Sequence, residues 1–387
     1  MRIAFDATVS GRVRTGVGVY ARHLHAALQE RGTDARWWQH PLDDDASARW
    51  RRARNGVTLS RWLLRGLRER CTGERIDVCH STTSIGPLDA GCRLVLTVHD
   101  ATAVTMPVLR GPAHRAFGRV FSVGAARRAA AILAPTHVAG DAVAEHYRVL
   151  RERVHVIPLG VNPSFHHVDA AAVEHTKRAY RLDHPYVLSV GANTPRKNLA
   201  RLVEAMSLLP PSLSDLDLVV AGPVAHDEPP IERLVRRGRR GPRIRRLGCV
   251  PDALLPGLYA GATVSAYVSI CEGFGLPIVE AMAAGTPVVT SNVSAMPEVA
   301  GGAALLVDPF DPPAIADGLE RAATDSHLAA DLRRRGRSRS RLFDWRQTAA
   351  LTERAYHLVC GRDYSTFEAL SPGPDSVPTH SPAAFAP

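Results

Sequence analysis

Short apolar runs alternate with longer amphipathic stretches along the whole chain. Ile3–Ala7, Ile76–Ser81, Leu94–Val98, Ala130–Ala134 and Val154–Ile157 form one series of runs, and Tyr186–Val190, Asp217–Gly222, Val264–Val268 and Pro287–Thr290 form a second. Such runs are apolar at consecutive positions, as strands buried on both faces of a parallel sheet are. Helical periodicity fills the gaps: after Gly16 to about Gln29, over 47–70, from Asn198 to about Leu209, over Ile278–Ala284, and over 312–323, 326–342 and 345–359. Strand and helix in regular alternation predict an α/β protein with parallel sheets. Two such series predict two Rossmann-like halves, with a polar stretch over 163–184 between them. A basic segment, Ile231–Arg240, reads as a helix on a solvated face, as do Arg243, Arg245 and Arg246 beyond it.

One block departs from this pattern. In Tyr267–Thr290 the strand breaks off at Glu272, Gly273, Phe274 and Gly275, and Pro277 suits the first turn of the next helix. Gly285 suits its end. A helix start presents unpaired N–H groups and partial positive charge, and neighbouring glycines let a ligand come close. That combination binds anions such as phosphate. Glu272 on the loop and Glu280 a turn into the helix cannot bind phosphate, but both can accept hydrogen bonds from hydroxyls. Phosphates in the middle and hydroxyls at both ends describe a sugar nucleotide. The plainer reading is a polar loop with an exposed Glu280.

The block Glu272-Gly273-Phe274-Gly275-Leu276-Pro277, with Glu280-Ala281-Met282-Ala283 and Gly285-Thr286-Pro287-Val288-Val289, resembles the E-x7-E signature of glycosyltransferase family 4. The resemblance runs in order over roughly residues 1 to 360. It implies the GT-B fold and retaining transfer of a hexose from a nucleoside-diphosphate sugar to a hydroxyl acceptor. GDP-mannose is the donor common among relatives. By the same resemblance Glu272 contacts the donor sugar and Glu280 the ribose, with Gly273, Phe274, Gly275 and Leu276 along the donor. Arg196 and Lys197 grip the diphosphate. His99, after the Leu94–Val98 strand, lies near the donor sugar. Gly16 and Gly18 form the glycine loop facing the cleft, and Val250 flanks the base. Pro158-Leu159-Gly160-Val161-Asn162 resembles the interdomain hinge. Gly191-Ala192 stands where many members have Gly-Arg, so one phosphate ligand is missing and more charge falls to Arg196 and Lys197. The implied division is 1–162 for the acceptor, 163–344 for the donor, 345–362 as a helix crossing back, and 363–387 as a disordered tail. Neither metal nor cofactor is implied.

At 387 residues, with 45% hydrophobic and 22% charged residues, the chain is long enough for two domains with real cores. No run reaches the 18 apolar residues of a membrane span. The N-terminus reads as a strand rather than a signal peptide, so a cytoplasmic protein is expected. Six scattered cysteines form no C-x-x-C pair, which favours reduced thiols over zinc. The formal charge is +10, and only Lys177 and Lys197 among the 48 basic residues are lysines. An anionic partner fits that charge. No recognition fold or zinc spacing supports nucleic acid. The arginine-rich segment 47–70 carries Trp50, Trp62, Leu63, Leu64 and Leu67. It suits either a peripheral contact with an anionic inner membrane face or a solvated helix. Asp43-Asp44-Asp45 reads as a solvated turn rather than a metal site. Gly16-x-Gly18-x-x-Ala21 matches a dinucleotide fingerprint formally, but its first glycine lies nine residues past the strand, where that motif needs a tight turn. No acid ends the next strand, where Arg36-Trp37-Trp38 stands.

Overall fold

The structure is a computed structural model that describes residues 1–10, 16–40, 49–105, 116–223 and 243–361, with the side chains of 49–54, 103 and 104 also outside the description. Asp43–Asp45, the Ile231–Arg240 segment and the tail after Gly361 lie outside the described residues.

Two six-stranded sheets form two halves. The first runs β2-β1-β3-β4-β5-β6, with β1 Arg2–Asp6, β2 Asp34–Trp38, β3 Val78–Ser81, β4 Arg93–Thr97, β5 Ala131–Ala134 and β6 Val154–Val156. The second runs β12-β11-β10-β7-β8-β9, with β7 Tyr186–Val190, β8 Asp217–Ala221, β9 Ile244–Gly248, β10 Val264–Tyr267, β11 Val288–Ser291 and β12 Leu305–Val307. Every pairing is parallel. β3, β5, β8, β10 and β11 are buried at every position, which explains their unalternating apolar sequence. Ligands of open parallel sheets bind beyond the carboxyl ends where strand order reverses. That reversal falls between β1 and β3 in one half and between β7 and β10 in the other. The loops leaving β7 and β10 are 191–197 and 268–275, which carry six of the twelve candidate residues.

The structure differs from the expected elements in several places, among them the unexpected helix His137–Tyr147 and the three that follow. The polar stretch 163–184 holds a 3-10 turn, Pro163–His166, and a helix, Ala170–Tyr180 capped by Asp169. Short alanine-rich sequence with one buried residue, Thr176, left no apolar stripe to reveal it. Arg243, Arg245 and Arg246 belong to the β9 edge rather than to a solvated helical face. Arg245 donates to the Tyr180 carbonyl at 3.0 Å and Arg243 pairs with Asp217 at 2.9 Å, so the basic residues tie this edge down. Asn198 is not a side-chain cap. It adopts φ +59°, and its amide donates to the Val268 and Pro309 carbonyls at 3.0 and 2.6 Å, fastening the 191–197 loop to β10.

The helix Trp345–Val359 lies against Gly16–Glu30 of the first half. Glu353 accepts hydrogen bonds from Arg31 (2.6 Å) and Thr33. Tyr356 is fully buried and its hydroxyl is 2.6 Å from His80 Nδ1. Both connections between the halves touch, since Val161 N–H donates to the Phe343 carbonyl at 3.0 Å and Thr348 Oγ1 to Pro158 at 2.8 Å.

Candidate active site

The sequence of the β10 loop explains its shape. β10 ends at Tyr267, and the chain turns through Ser269–Gly275 into the helix Leu276–Ala284. Gly275 has φ +102°, a conformation costly for any side-chain-bearing residue. Pro277 sits in the first turn, no side chain caps the helix start, and Gly285 ends the helix with φ +77°.

The centre of the site is an ion triad. Glu272 comes from the β10 loop; Arg196 and Lys197 come from the 3-10 turn Pro195–Lys197 after β7. Arg196 Nη1 lies 2.5 Å from Glu272 Oε2, and Lys197 Nζ lies 2.7 Å from Oε1. Lys197 also donates to the Tyr267 hydroxyl and sits 4.6 Å over its ring. Arg196 donates to the Cys271 carbonyl at 2.6 Å. Burial alone would raise the Glu272 carboxyl, but the Lys197 and Arg196 charges outweigh it and hold it near 2. The same burial pulls the Lys197 ammonium down against the attraction of Glu272. It also pushes the Tyr267 hydroxyl up, with the Glu272 charge adding to the effect. Both basic side chains of the triad are already placed on one carboxylate.

Glu280 stands a turn into the helix and belongs to a separate cluster. Its Oε2 accepts from the Tyr259 hydroxyl at 2.9 Å. Burial raises the Glu280 carboxyl to about 7; the Tyr259 bond opposes this and the nearby Asp252 charge adds to it. It therefore titrates near neutrality, beside a carboxylate that stays ionised to strong acid.

The first half supplies the opposite wall. His99 follows β4, donates from Nε2 to the Thr82 carbonyl at 3.2 Å, and meets the Tyr20 ring edge-on at 4.7 Å. Burial lowers the His99 imidazole, against that bond. The halves touch here: a Cβ on Gly273 would fall 1.5 Å from the His99 carbonyl oxygen, so no residue but glycine fits. Gly16 opens the Gly16–Glu30 helix, and a Cβ there would lie 3.5 Å from Leu276 Cδ1 across the cleft. Gly18 is buried in that helix. Phe274 turns into the core edge-on to Phe343 at 5.4 Å, and half-buried Val250 packs at the margin of the same core. Tyr267 and Ser294 belong to the site too, although their sequence read only as strand and loop. Ser294 Oγ bonds both the N–H and the carbonyl of Glu272, at 3.1 and 2.7 Å. Among the described residues, no group of three or more His, Cys, Asp and Glu could hold a metal ion.

Two family models match the two halves in turn. "Glycosyltransferase Family 4" covers residues 14–165 and "Glycosyl transferases group 1" covers 173–339. The chain belongs to glycosyltransferase family 4. It is similar to the O-antigen chain mannosyltransferase B of Escherichia coli, 41% identical over 45% of this chain and 46% of that protein. It is also similar to the MMP alpha-(1->4)-mannosyltransferase of Mycolicibacterium hassiacum, 30% identical over 61% of this chain and 56% of that one. The matches span about half the length of these two relatives. Among solved structures, sucrose-phosphate synthase from Thermosynechococcus elongatus superposes with TM-score 0.77 at 22% identity, covering 93% of this chain and 99% of that one. WaaG, a glycosyltransferase involved in lipopolysaccharide biosynthesis, superposes at 0.69 and 18%, covering 93% and 100%. These likenesses establish the family 4 chain as a GT-B fold of two Rossmann-like halves.

Proposed function

We propose that this family 4 chain is a retaining glycosyltransferase that moves a hexose from a nucleoside-diphosphate sugar to a hydroxyl acceptor. The observation that carries the reading is the meeting of Arg196, Lys197 and Glu272 at the strand-order reversal of the second half, with Glu280 on the adjoining helix. Two cations and a helix start suit a diphosphate, and two carboxylates suit hydroxyls on either side of it. Relatives named as mannosyltransferases support mannose, so GDP-mannose is the first donor to test. A UDP- or dTDP-sugar on the same site is the alternative. A sugar-nucleotide-binding protein without turnover is the alternative class.

In this mechanism the diphosphate draws Arg196 and Lys197 away from Glu272. The two cations and the Leu276 helix start then stabilise the charge that develops on the leaving group. Glu272, freed, accepts from the sugar hydroxyls, and Glu280 accepts from the ribose. His99 lies against the sugar from the other half. The acceptor oxygen attacks the face from which the diphosphate departs. The sugar–phosphate C–O bond breaks, the glycosidic bond forms, and a phosphate oxygen takes the acceptor proton. Anomeric configuration is retained with no protein nucleophile. The basic pair takes the part a metal would otherwise play, and closing the halves excludes water.

Thermal shift with GDP-mannose, UDP-glucose and dTDP-glucose, followed by turnover in EDTA, tests the proposal. One donor should raise the melting temperature and be turned over at an unchanged rate in the chelator. Absence of a shift with all three would sink the donor-site reading, and loss of activity restored by manganese would sink metal independence.

The acceptor setting is part of the proposal. The helical segment from Arg49 to Gly73 buries Trp62, Leu63, Leu67 and Cys71, and turns Val57, Arg61, Leu64, Arg65 and Arg68 outward at helical spacing. Val57 is 61% and Leu64 50% exposed. Apolar side chains among arginines suit an anionic bilayer surface, which supports a peripheral contact with the inner membrane face beside a lipid-linked acceptor. Among the described residues no helix is long and apolar enough to cross a membrane. The chain should co-sediment with phosphatidylglycerol vesicles and not with phosphatidylcholine ones, and Leu64→Asp should weaken this binding. Equal binding to both vesicles, or none to either, would remove the membrane from the proposal.

A further inference from the structure

At one corner of the crevice the two halves meet through bonds that the donor-site reading leaves unused. The helix His137–Tyr147 of the first half begins there. Its first N–H groups have no partner within the helix and carry partial positive charge. The Glu298 carboxylate, on the short helix Met296–Ala300 of the second half, takes two of them. His137 N–H donates to Oε1 at 2.8 Å and Val138 N–H to Oε2 at 3.1 Å. Thr136, one residue earlier, donates its hydroxyl to the Gly273 carbonyl at 2.9 Å. Gly273 directly follows Glu272. Ser294, four residues before Glu298, brackets Glu272 from the other side through its N–H and carbonyl. Ser294 does so at φ +57°, a left-handed conformation uncommon for a residue with a side chain. The peptide that carries Glu272 is therefore held by Thr136 on one side and Ser294 on the other. Glu298 ties the segment of Ser294 to the helix start beside Thr136.

We infer that Glu298 is a positioning residue for Glu272. Docked on the His137 helix start, it fixes the Ser294–Glu298 segment, so the Glu272 loop takes its working place only when the two halves are joined at this corner. The inference rests on the donor-site reading, in which Glu272 faces the sugar. The diphosphate cations lie on a different loop, 191–197, which Glu298 does not touch. Weakening the corner should therefore misplace the sugar contact without weakening the nucleotide grip, because Glu272 competes with a diphosphate for Arg196 and Lys197. Small misplacements of this kind lower the catalytic step far more than binding.

Glu298→Ala and Glu298→Gln are compared with Asp325→Ala. Asp325 caps the helix Ser326–Ser340 through Leu328 N–H at 2.9 Å, a like bond away from the corner. Glu298→Ala should lower kcat on the order of tenfold, with Glu298→Gln between it and the parent and Asp325→Ala unchanged. Calorimetric affinity for GDP and UDP should weaken by no more than about twofold in any of the three. The ligand-free Glu298→Ala protein should show a larger radius of gyration by small-angle scattering. A kcat for Glu298→Ala matching that of Asp325→Ala, or nucleotide affinity falling in step with kcat, overturns the inference. If Glu298→Ala does not fold, Glu298→Gln decides by the same criteria. If the parent transfers sugar from no donor, the donor-site reading has failed on its own. The scattering comparison then stands alone, and an unchanged radius overturns the docking role.

Discussion

Glu272→Gln should lower turnover about a hundredfold while tightening the binding of free GDP or UDP. In the ligand-free protein the Glu272 carboxylate occupies both cations, so a diphosphate competes with it. Glutamine keeps the shape and removes the competing charge, and it also weakens the proposed charge-assisted contact to the sugar. The variant should be less stable, because Arg196 and Lys197 remain side by side in a largely dry site without their counter-charge. The drop of the carboxyl from its ordinary 4.5 to about 2 corresponds to about 3 kcal/mol. That stabilisation is fully present above pH 4.5 and is lost as the pH falls through about 2. The melting temperature at pH 7 should therefore drop by roughly 5–10 °C, and saturating GDP or UDP should restore most of it. Calorimetry and melting curves on the parent and the variant decide the matter. A variant that binds the free diphosphate more weakly than the parent would mean that Glu272 is no competitor of the phosphates and that the triad has been misread.

Much of the architecture is legible in the sequence because parallel strands buried on both faces leave consecutive apolar runs. Tyr186–Val190 and Val264–Tyr267 stand out for that reason. The Gly275, Pro277 and Gly285 punctuation likewise exposes the helix that begins at Leu276. What stays hidden is long-range pairing. Nothing local to Lys197 or Glu272 shows that side chains 75 positions apart are bonded, so by sequence they read as grips on different parts of a ligand. Tyr267 hides because an aromatic residue at the end of a buried strand looks like core, although its hydroxyl meets Lys197. Asn198 hides for the opposite reason. Asparagine before a helical run is a capping signal, and only the neighbouring backbone, Val268 and Pro309, shows that its amide is used elsewhere. The β9 strand is obscured by Arg245 and Arg246, whose charges suit an edge but mask the period of a strand. Glu298 is invisible as a contact because its partners are backbone N–H groups of the other half, which any sequence would supply.

Nucleotide affinity should rise with pH between about 6 and 8, and Glu280→Gln should abolish that rise. Burial holds the Glu280 carboxyl near 7, so at pH 6 it is mostly protonated and at pH 8 mostly ionised. Only the ionised form offers both oxygens as strong acceptors to ribose hydroxyls. Glu272 stays ionised across this range and contributes no titration. The stability effect has the opposite sign. A carboxyl whose folded value lies above its unfolded 4.5 costs nothing below 4.5; the cost grows as the pH rises to about 7 and is constant beyond. Full ionisation costs about 3 kcal/mol. Glu280→Gln should therefore melt several degrees higher than the parent at pH 8 and at nearly the same temperature at pH 5. At pH 8 its affinity for GDP or UDP should be about tenfold weaker. Glu280 is half-buried, and a chain that keeps a costly desolvated carboxylate in place of a more stable amide fits a position held by ligand binding rather than by folding. Melting and calorimetry at pH 5, 6.5 and 8 on both proteins separate the two effects. A Glu280→Gln protein whose nucleotide affinity still climbs with pH would assign the titration to another group. One no more stable than the parent at pH 8 would show that Glu280 is solvated in the unliganded cleft.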